Sequence, residues 1–124
     1  MEPRISSALR AAMIAHAAET PDVEVCGLLL GLEFQVEEAR QCNNVSDQPS
    51  DSFEIDPLAL IAAHKAQRAG GLAVIGHYHS HPNGVRALSE RDIKYATKGH
   101  ILVVVAGGDI GVWVGGAADI KTDN

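Results

Sequence analysis

Three histidines fall at alternate positions in "GHYHSHPNGVRALSERD", Gly76 to Asp92, ahead of a Pro-Asn-Gly turn and of a serine and an aspartate three residues apart. Side chains at i and i+2 of a strand point to the same face, so His79 and His81 can present two imidazoles to one point at the strand's end. Ser89 reads as the opening of a helix, and Asp92 lies on the same helical face. A loop folded back through Pro82, Asn83 and Gly84 can bring Asp92 to that point. Two neutral imidazoles and one carboxylate suit Zn²⁺, and three protein ligands leave a fourth tetrahedral position for water, as in catalytic rather than structural zinc sites. Ligand type alone leaves iron and manganese open.

The elements that must position these side chains can be read from periodicity. Ile5, Leu9, Met13 and Ile14 recur at helical spacing, with Ser6 or Ser7 as cap, which predicts a helix of about 13 residues ending near Thr20-Pro21. "EVCGLLLGL", Glu24 to Leu32, fits a buried strand, and "FQVEEARQC" fits its antiparallel partner. "NNVSDQPSDSFEID" is polar and turn-rich, a loop exposed enough to move and of the kind that borders active sites. Asp56-Pro57 starts a second helix that runs to the glycine pair Gly70-Gly71. "LAVIGHYHS" returns to extended structure, Ser89 to Lys98 reads as a third helix, and "ILVVVAGGDIGVWVGG" as a hairpin around Gly107-Gly108-Asp109. The order predicts a single α+β domain over residues 1–124, with a mixed, mainly antiparallel sheet flanked by helices.

"HSHPNGVRALSERD" resembles the metal-binding pattern of the JAMM, or MPN+, metalloproteases: His-x-His, seven residues, Ser, two residues, Asp. That family also requires a glutamate upstream of a glycine-rich apolar strand, and "EVCGLLLG" resembles that segment with Glu24 as the glutamate. The "NNVSDQPSDSFEIDP" stretch is similar to bacterial members. Leu88 departs from the pattern, since many members carry proline before the serine. The resemblance implies a cytidine-deaminase-like fold, one Zn²⁺ per chain held by His79, His81 and Asp92, and hydrolysis of an amide or isopeptide bond. In it, zinc lowers the pKa of its water toward roughly 7, Glu24 takes that water's proton and returns it to the departing amine, and Ser89 donates to the oxyanion. The implied substrates are adducts on the C-terminal glycine of a ubiquitin-like or sulfur-carrier protein ending in Gly-Gly. The absence of long insertions favours a compact bacterial-type processing enzyme over a ubiquitin-chain protease.

Plainer readings bound this one. An isolated His-x-His is ordinarily a pair of surface strand histidines, a reading that the serine, aspartate and upstream glutamate reverse. His77 alternates onto the same face but lies about 13 Å of strand from His81 at ~3.3 Å per residue, which predicts packing beside the site or contact with substrate. Ser89 can serve as a helix cap as well as a donor. His16, His64 and His100 have no companions in sequence and read as helix-surface or core residues; Trp113 and Val114 read as core or rim. Cys26 and Cys42 are the two cysteines, expected to remain reduced. With 124 residues, a 46% apolar fraction and a net charge of -6, the chain can bury a core but has no basic surface for nucleic acid. No apolar run approaches the roughly 20 residues of a membrane span and no secretion signal is evident, so a cytoplasmic location is expected. Apolar helices on a small domain are compatible with a homodimer. The competing functions are a metal-free MPN scaffold, which would have lost ligands kept here, and a zinc hydrolase of another small amide or a nucleoside deaminase, whose His-x-Glu and Cys-x-x-Cys pattern is missing.

Overall fold

A computed structural model describes residues 2–116. Helix α1 (Ser7–Glu19) is capped by Ser6, whose hydroxyl accepts from the Leu9 amide. Strands β1 (Cys26–Leu32) and β2 (Gln35–Cys42) follow, then α2 (Pro57–Arg68), capped by Asp56 with Pro57 in its first turn. Strand β3 (Ala73–Ser80), helix α3 (Glu90–Lys94) and the hairpin of β4 (Ile101–Ala106) and β5 (Asp109–Val114) complete the order. The five strands form one sheet in the order β2-β1-β3-β4-β5, antiparallel throughout except between β3 and β4. This is the α+β arrangement that the sequence predicts. Gly107 and Gly108 both have positive φ, as a two-residue hairpin turn that matches strand twist requires.

Strand alternation divides the core between the two faces. On one face α1 contributes Met13 to a cluster with Leu29, Val36, Tyr78, Ile101, Val103 and Val105. On the other face, Ala63 of α2 packs with Leu28 and Leu30, while Leu88 packs with Leu102, Val104 and Ala106. Leu88, the departure from the family pattern, is therefore an apolar anchor for the loop that leads to Ser89. All six residues of β4 are buried, so this strand is covered on both faces. Gly27 accepts the close approach of the Tyr78 ring and the Arg40 carbonyl, space that a Cβ would fill.

A one-residue slip sets which way the histidines point. β1 and β3 pair Leu29 with Gly76 but Leu30 with Val74, leaving Ile75 as an extra residue. Such a bulge reverses the alternation beyond it. Val74 and His77 consequently line the same cavity, while Tyr78 joins the α1 face. There the Tyr78 hydroxyl and His16 Nδ1 share a 2.7 Å hydrogen bond, so His16 is a core residue with a partner.

Burial lowers the pKa of His16, with the nearby Glu19 charge opposing. A lowered folded-state pKa means stability is present above the unfolded value of about 6.5 and is lost as pH falls below it. His16→Gln keeps a hydrogen-bonding group for Tyr78 without that titration. Its denaturation midpoint is therefore expected to fall less than the parent's between pH 7 and 5.5, as read by urea unfolding.

Two expectations need correction. The third helix covers only Glu90–Lys94 rather than running to Lys98. Its continuation is preempted because the Gly99 amide donates to Gly115 and the Gly115 amide donates to His100, tying this segment to the end of β5. The first strand begins at Cys26, and Glu24 and Val25 lie before it. Cys26 and Cys42 stand opposite each other across β1 and β2 as free thiols, and burial pushes the Cys26 thiol up to about 12. Among the described residues no helix is long and apolar enough to cross a membrane.

Candidate metal centre

β3 delivers His79 as its penultimate residue, and His81 lies one residue past the strand, where its amide still donates to Val105 of β4. Their Nε2 atoms approach to 3.0 Å. His81 Nδ1 lies 2.9 Å from the Val85 carbonyl, inside a turn in which Asn83 Oδ1 accepts from the Val85 amide. A carbonyl can only accept, so Nδ1 carries a proton, and the neutral form of the ring, the form that binds a metal, has its lone pair on Nε2.

Asp92 comes from α3. Its Oδ2 accepts from the Ser89 amide at 2.9 Å and its own amide donates to Ser89 Oγ at 3.1 Å, a reciprocal cap that fixes both side chains. Asp92 Oδ1 lies 3.2 Å from His79 Nε2, and Oδ2 lies 3.2 Å from His81 Nε2. Burial pushes the Asp92 carboxyl up, but hydrogen bonds with His79 and His81 prevail and hold it well below the usual carboxylate range. The bond to Asp92 in turn raises the His81 pKa against the effect of burial.

Glu24 reaches the same point through sheet pairing. Cys26 stands opposite His79, and Val25 and Ser80 exchange two hydrogen bonds, one from the Ser80 amide and one into Ser80 Oγ. Glu24, 6% exposed, offers a carboxylate oxygen to a group in which it and one nitrogen each of His79 and His81 lie within 4.8 Å of one another. Burial pushes its carboxyl up to about 7, with His81 opposing and Asp92 reinforcing the shift.

The residues therefore fit a metal ion. A tetrahedral ion with bonds near 2.0 Å separates its ligand atoms by about 3.3 Å. The two imidazole nitrogens, 3.0 Å apart, lie near that edge length, and each has one Asp92 oxygen 3.2 Å away, Oδ1 beside His79 and Oδ2 beside His81. Imidazole nitrogens with a carboxylate are the donors of Zn²⁺ sites that also hold a reactive water.

The loop between β2 and α2 is tied down rather than loose. Asn44 uses all four hydrogen-bonding capacities of its amide: Nδ2 donates to the carbonyls of Glu24 and Ser52 at 2.9 and 3.0 Å, and Oδ1 accepts from the amides of Ser46 and Glu54, both at 3.0 Å. The Glu24 amide donates to the Pro49 carbonyl at 2.7 Å, so the Glu24 backbone is held on both sides. Neither Asn44 nor Phe53, whose ring stacks on His79, was singled out by spacing. The turn-forming Asn and Ser residues were the one available signal. Asn44→Ala is expected to cost roughly 2–3 kcal/mol, since it leaves several backbone groups without partners. Urea denaturation measures that loss.

A cavity of about 740 Å³ opens over the centre, lined by Glu24, His81, Ser89 and Asp92 and continuing past His77 to His64 and His100. His64 is an exposed residue of α2, as its helix-surface reading expects, but it and His100 line one cavity and so are not without companions. Burial pushes His77 down to about 4, and it stays neutral at physiological pH.

Residues 6–116 match the family described as prokaryotic homologs of the JAB domain. Over 82 residues the chain is 40% identical to a probable TtuB-protein conjugate cleaving protease of Thermus thermophilus, covering 66% of this chain and 55% of that protein. It is 32% identical over 94 residues to a desampylase of Haloferax volcanii, covering 71% and 68% respectively. The chain thus spans about half the length of the first relative and about two thirds of the second. The solution structure of protein DSY2949 from Desulfitobacterium hafniense superposes with a TM-score of 0.65 at 28% identity, covering 82% of this chain and 74% of that one. With nearly all of its described residues inside that match, the chain belongs to the family of prokaryotic homologs of the JAB domain.

Proposed function

We propose that this protein is a zinc-dependent hydrolase that cleaves the amide or isopeptide bond after the C-terminal glycine of a ubiquitin-like or sulfur-carrier protein. The observation that carries the reading is the convergence of His79, His81 and Asp92 at ligand spacing with Glu24 beside them. His79, His81 and Asp92 would hold the metal. Bound zinc supplies a Lewis acid and lowers the pKa of water to about 7. Relatives named as a protease of TtuB conjugates and as a desampylase support the substrate class.

The chain's own residues supply the proton transfers. Glu24, buried and with a carboxyl pushed up to about 7, accepts the proton of the attacking water and returns it to the departing amine. Ser89 Oγ accepts from the Asp92 amide, which leaves its hydroxyl hydrogen free to donate to the oxyanion of the tetrahedral intermediate. Capping and catalysis thus use different capacities of one hydroxyl. A Gly-Gly tail has no side chains beyond hydrogen, so it can lie extended along the cavity floor and approach the donor atoms closely.

Dialysis against a strong chelator tests this reading. Hydrolysis of a ubiquitin-like protein carrying an amide-linked residue beyond Gly-Gly should vanish and return with one equivalent of zinc. Undiminished hydrolysis by verified metal-free protein would overturn it.

A further inference from the structure

The two candidate histidine ligands are held by different means. His81 is aimed by the Val85 carbonyl at its Nδ1. His79 Nδ1 is buried with no hydrogen-bond partner. The terminal torsion of a histidine is broad, so its rotamer alone does not aim Nε2. Asp92 contacts that Nε2 but belongs to the donor set itself. The ring nearest to His79 is Phe53, nearly parallel at 18° with centroids 4.3 Å apart, with His81 edge-on at 4.8 Å and His77 farther off at 6.2 Å. The same phenyl ring covers His77 at 5.6 Å, spanning the two imidazoles that alternate along β3. Phe53 is fixed in turn from both sides, because Asn44 bonds the Ser52 carbonyl and the Glu54 amide that flank it.

We propose that Phe53 is the positioning residue of His79: its stacked ring does by packing what the Val85 carbonyl does for His81 by hydrogen bonding. The proposal rests on His79 being a metal ligand. Turning the imidazole out of its plane drives it into the phenyl face, so the stack holds the ring to one plane, and of the two flip states that share this plane the contacts with Asp92 and His81 select the one that points Nε2 toward them. An unstacked His79 samples orientations that miss the ion, and affinity falls by that fraction. Loss of an outer partner of a metal-bound histidine typically costs 10- to 100-fold in affinity, and loss of the stack is expected to fall in that range.

The test compares parent, Phe53→Leu, the unbranched and more adaptable Phe53→Met, and Phe53→Tyr, which keeps the aromatic face. Zinc affinity is read by competition with a chromogenic chelator and geometry by the visible absorption of Co²⁺-loaded protein, alongside the unfolding midpoint of each metal-free variant. Leucine and methionine should weaken zinc binding at least 10-fold and change the Co²⁺ bands, while tyrosine restores both. Should leucine fail to fold, methionine carries the comparison. Parental affinity and an unchanged Co²⁺ spectrum in a folded leucine or methionine variant would overturn the role of Phe53 alone. A parent that takes up no zinc would overturn the metal reading and this role with it.

Discussion

Glu24→Gln is expected to lower turnover roughly 10²- to 10⁴-fold, the usual contribution of a general acid-base group, while zinc uptake stays within a few-fold of the parent. Glutamine preserves the length and planarity of the side chain and leaves intact the backbone contacts with Pro49 and Asn44. It removes only the ability to take a proton and give it back. Burial places the Glu24 carboxyl at about 7, where both protonation states are populated near neutral pH. A bound dication lowers that value. The acidic limb of the parental pH-rate profile therefore lies below about 7, with activity lost as pH falls through it. Parental turnover in Glu24→Gln, with metal retained, would remove Glu24 from the mechanism.

Asp92→Asn should act one step earlier, weakening zinc binding by at least about 100-fold. The carboxylate is the one anionic group bonded to both imidazoles, and replacing it removes charge from the donor set while an amide oxygen can still accept from the Ser89 amide. The His81 pKa, raised chiefly by its bond to Asp92, should fall in the variant's metal-free form, and NMR titration of the ring reads that change. The two substitutions thus separate two functions: Glu24→Gln holds metal without turnover, and Asp92→Asn loses metal and turnover together. Near-parental zinc affinity in Asp92→Asn would exclude the carboxylate as a ligand.

The parts of the centre legible in sequence are those set by local geometry. His79 and His81 follow from strand alternation, and the Ser89-Asp92 pair from helical spacing. Glu24 is legible only through family resemblance, because its approach depends on β1 pairing with β3 so that Cys26 faces His79, a register that no local pattern encodes. The bulge at Ile75, which puts Val74 and His77 on the same cavity, is equally a property of two strands together. Asn44 and Phe53 act through a loop whose shape is specified by tertiary hydrogen bonds, so periodicity is silent about them. The truncation of α3 has the same origin: "ERDIKYATK" suits a helix by composition, but the backbone bonds among Gly99, His100 and Gly115 draw the chain into the sheet's edge. His64 and His100, far apart in sequence, share a cavity because α2 packs over β1 and β3.

Intact-mass spectrometry of ubiquitin-like and sulfur-carrier proteins extended or conjugated beyond Gly-Gly tests the proposed hydrolysis most directly. Each is incubated with zinc-loaded protein, with the same protein plus chelator, and with Glu24→Gln. The expected result is a product mass ending at the second glycine, formed by the parent and suppressed in both controls. A full panel of intact adducts, from protein verified to hold one zinc, would contradict it.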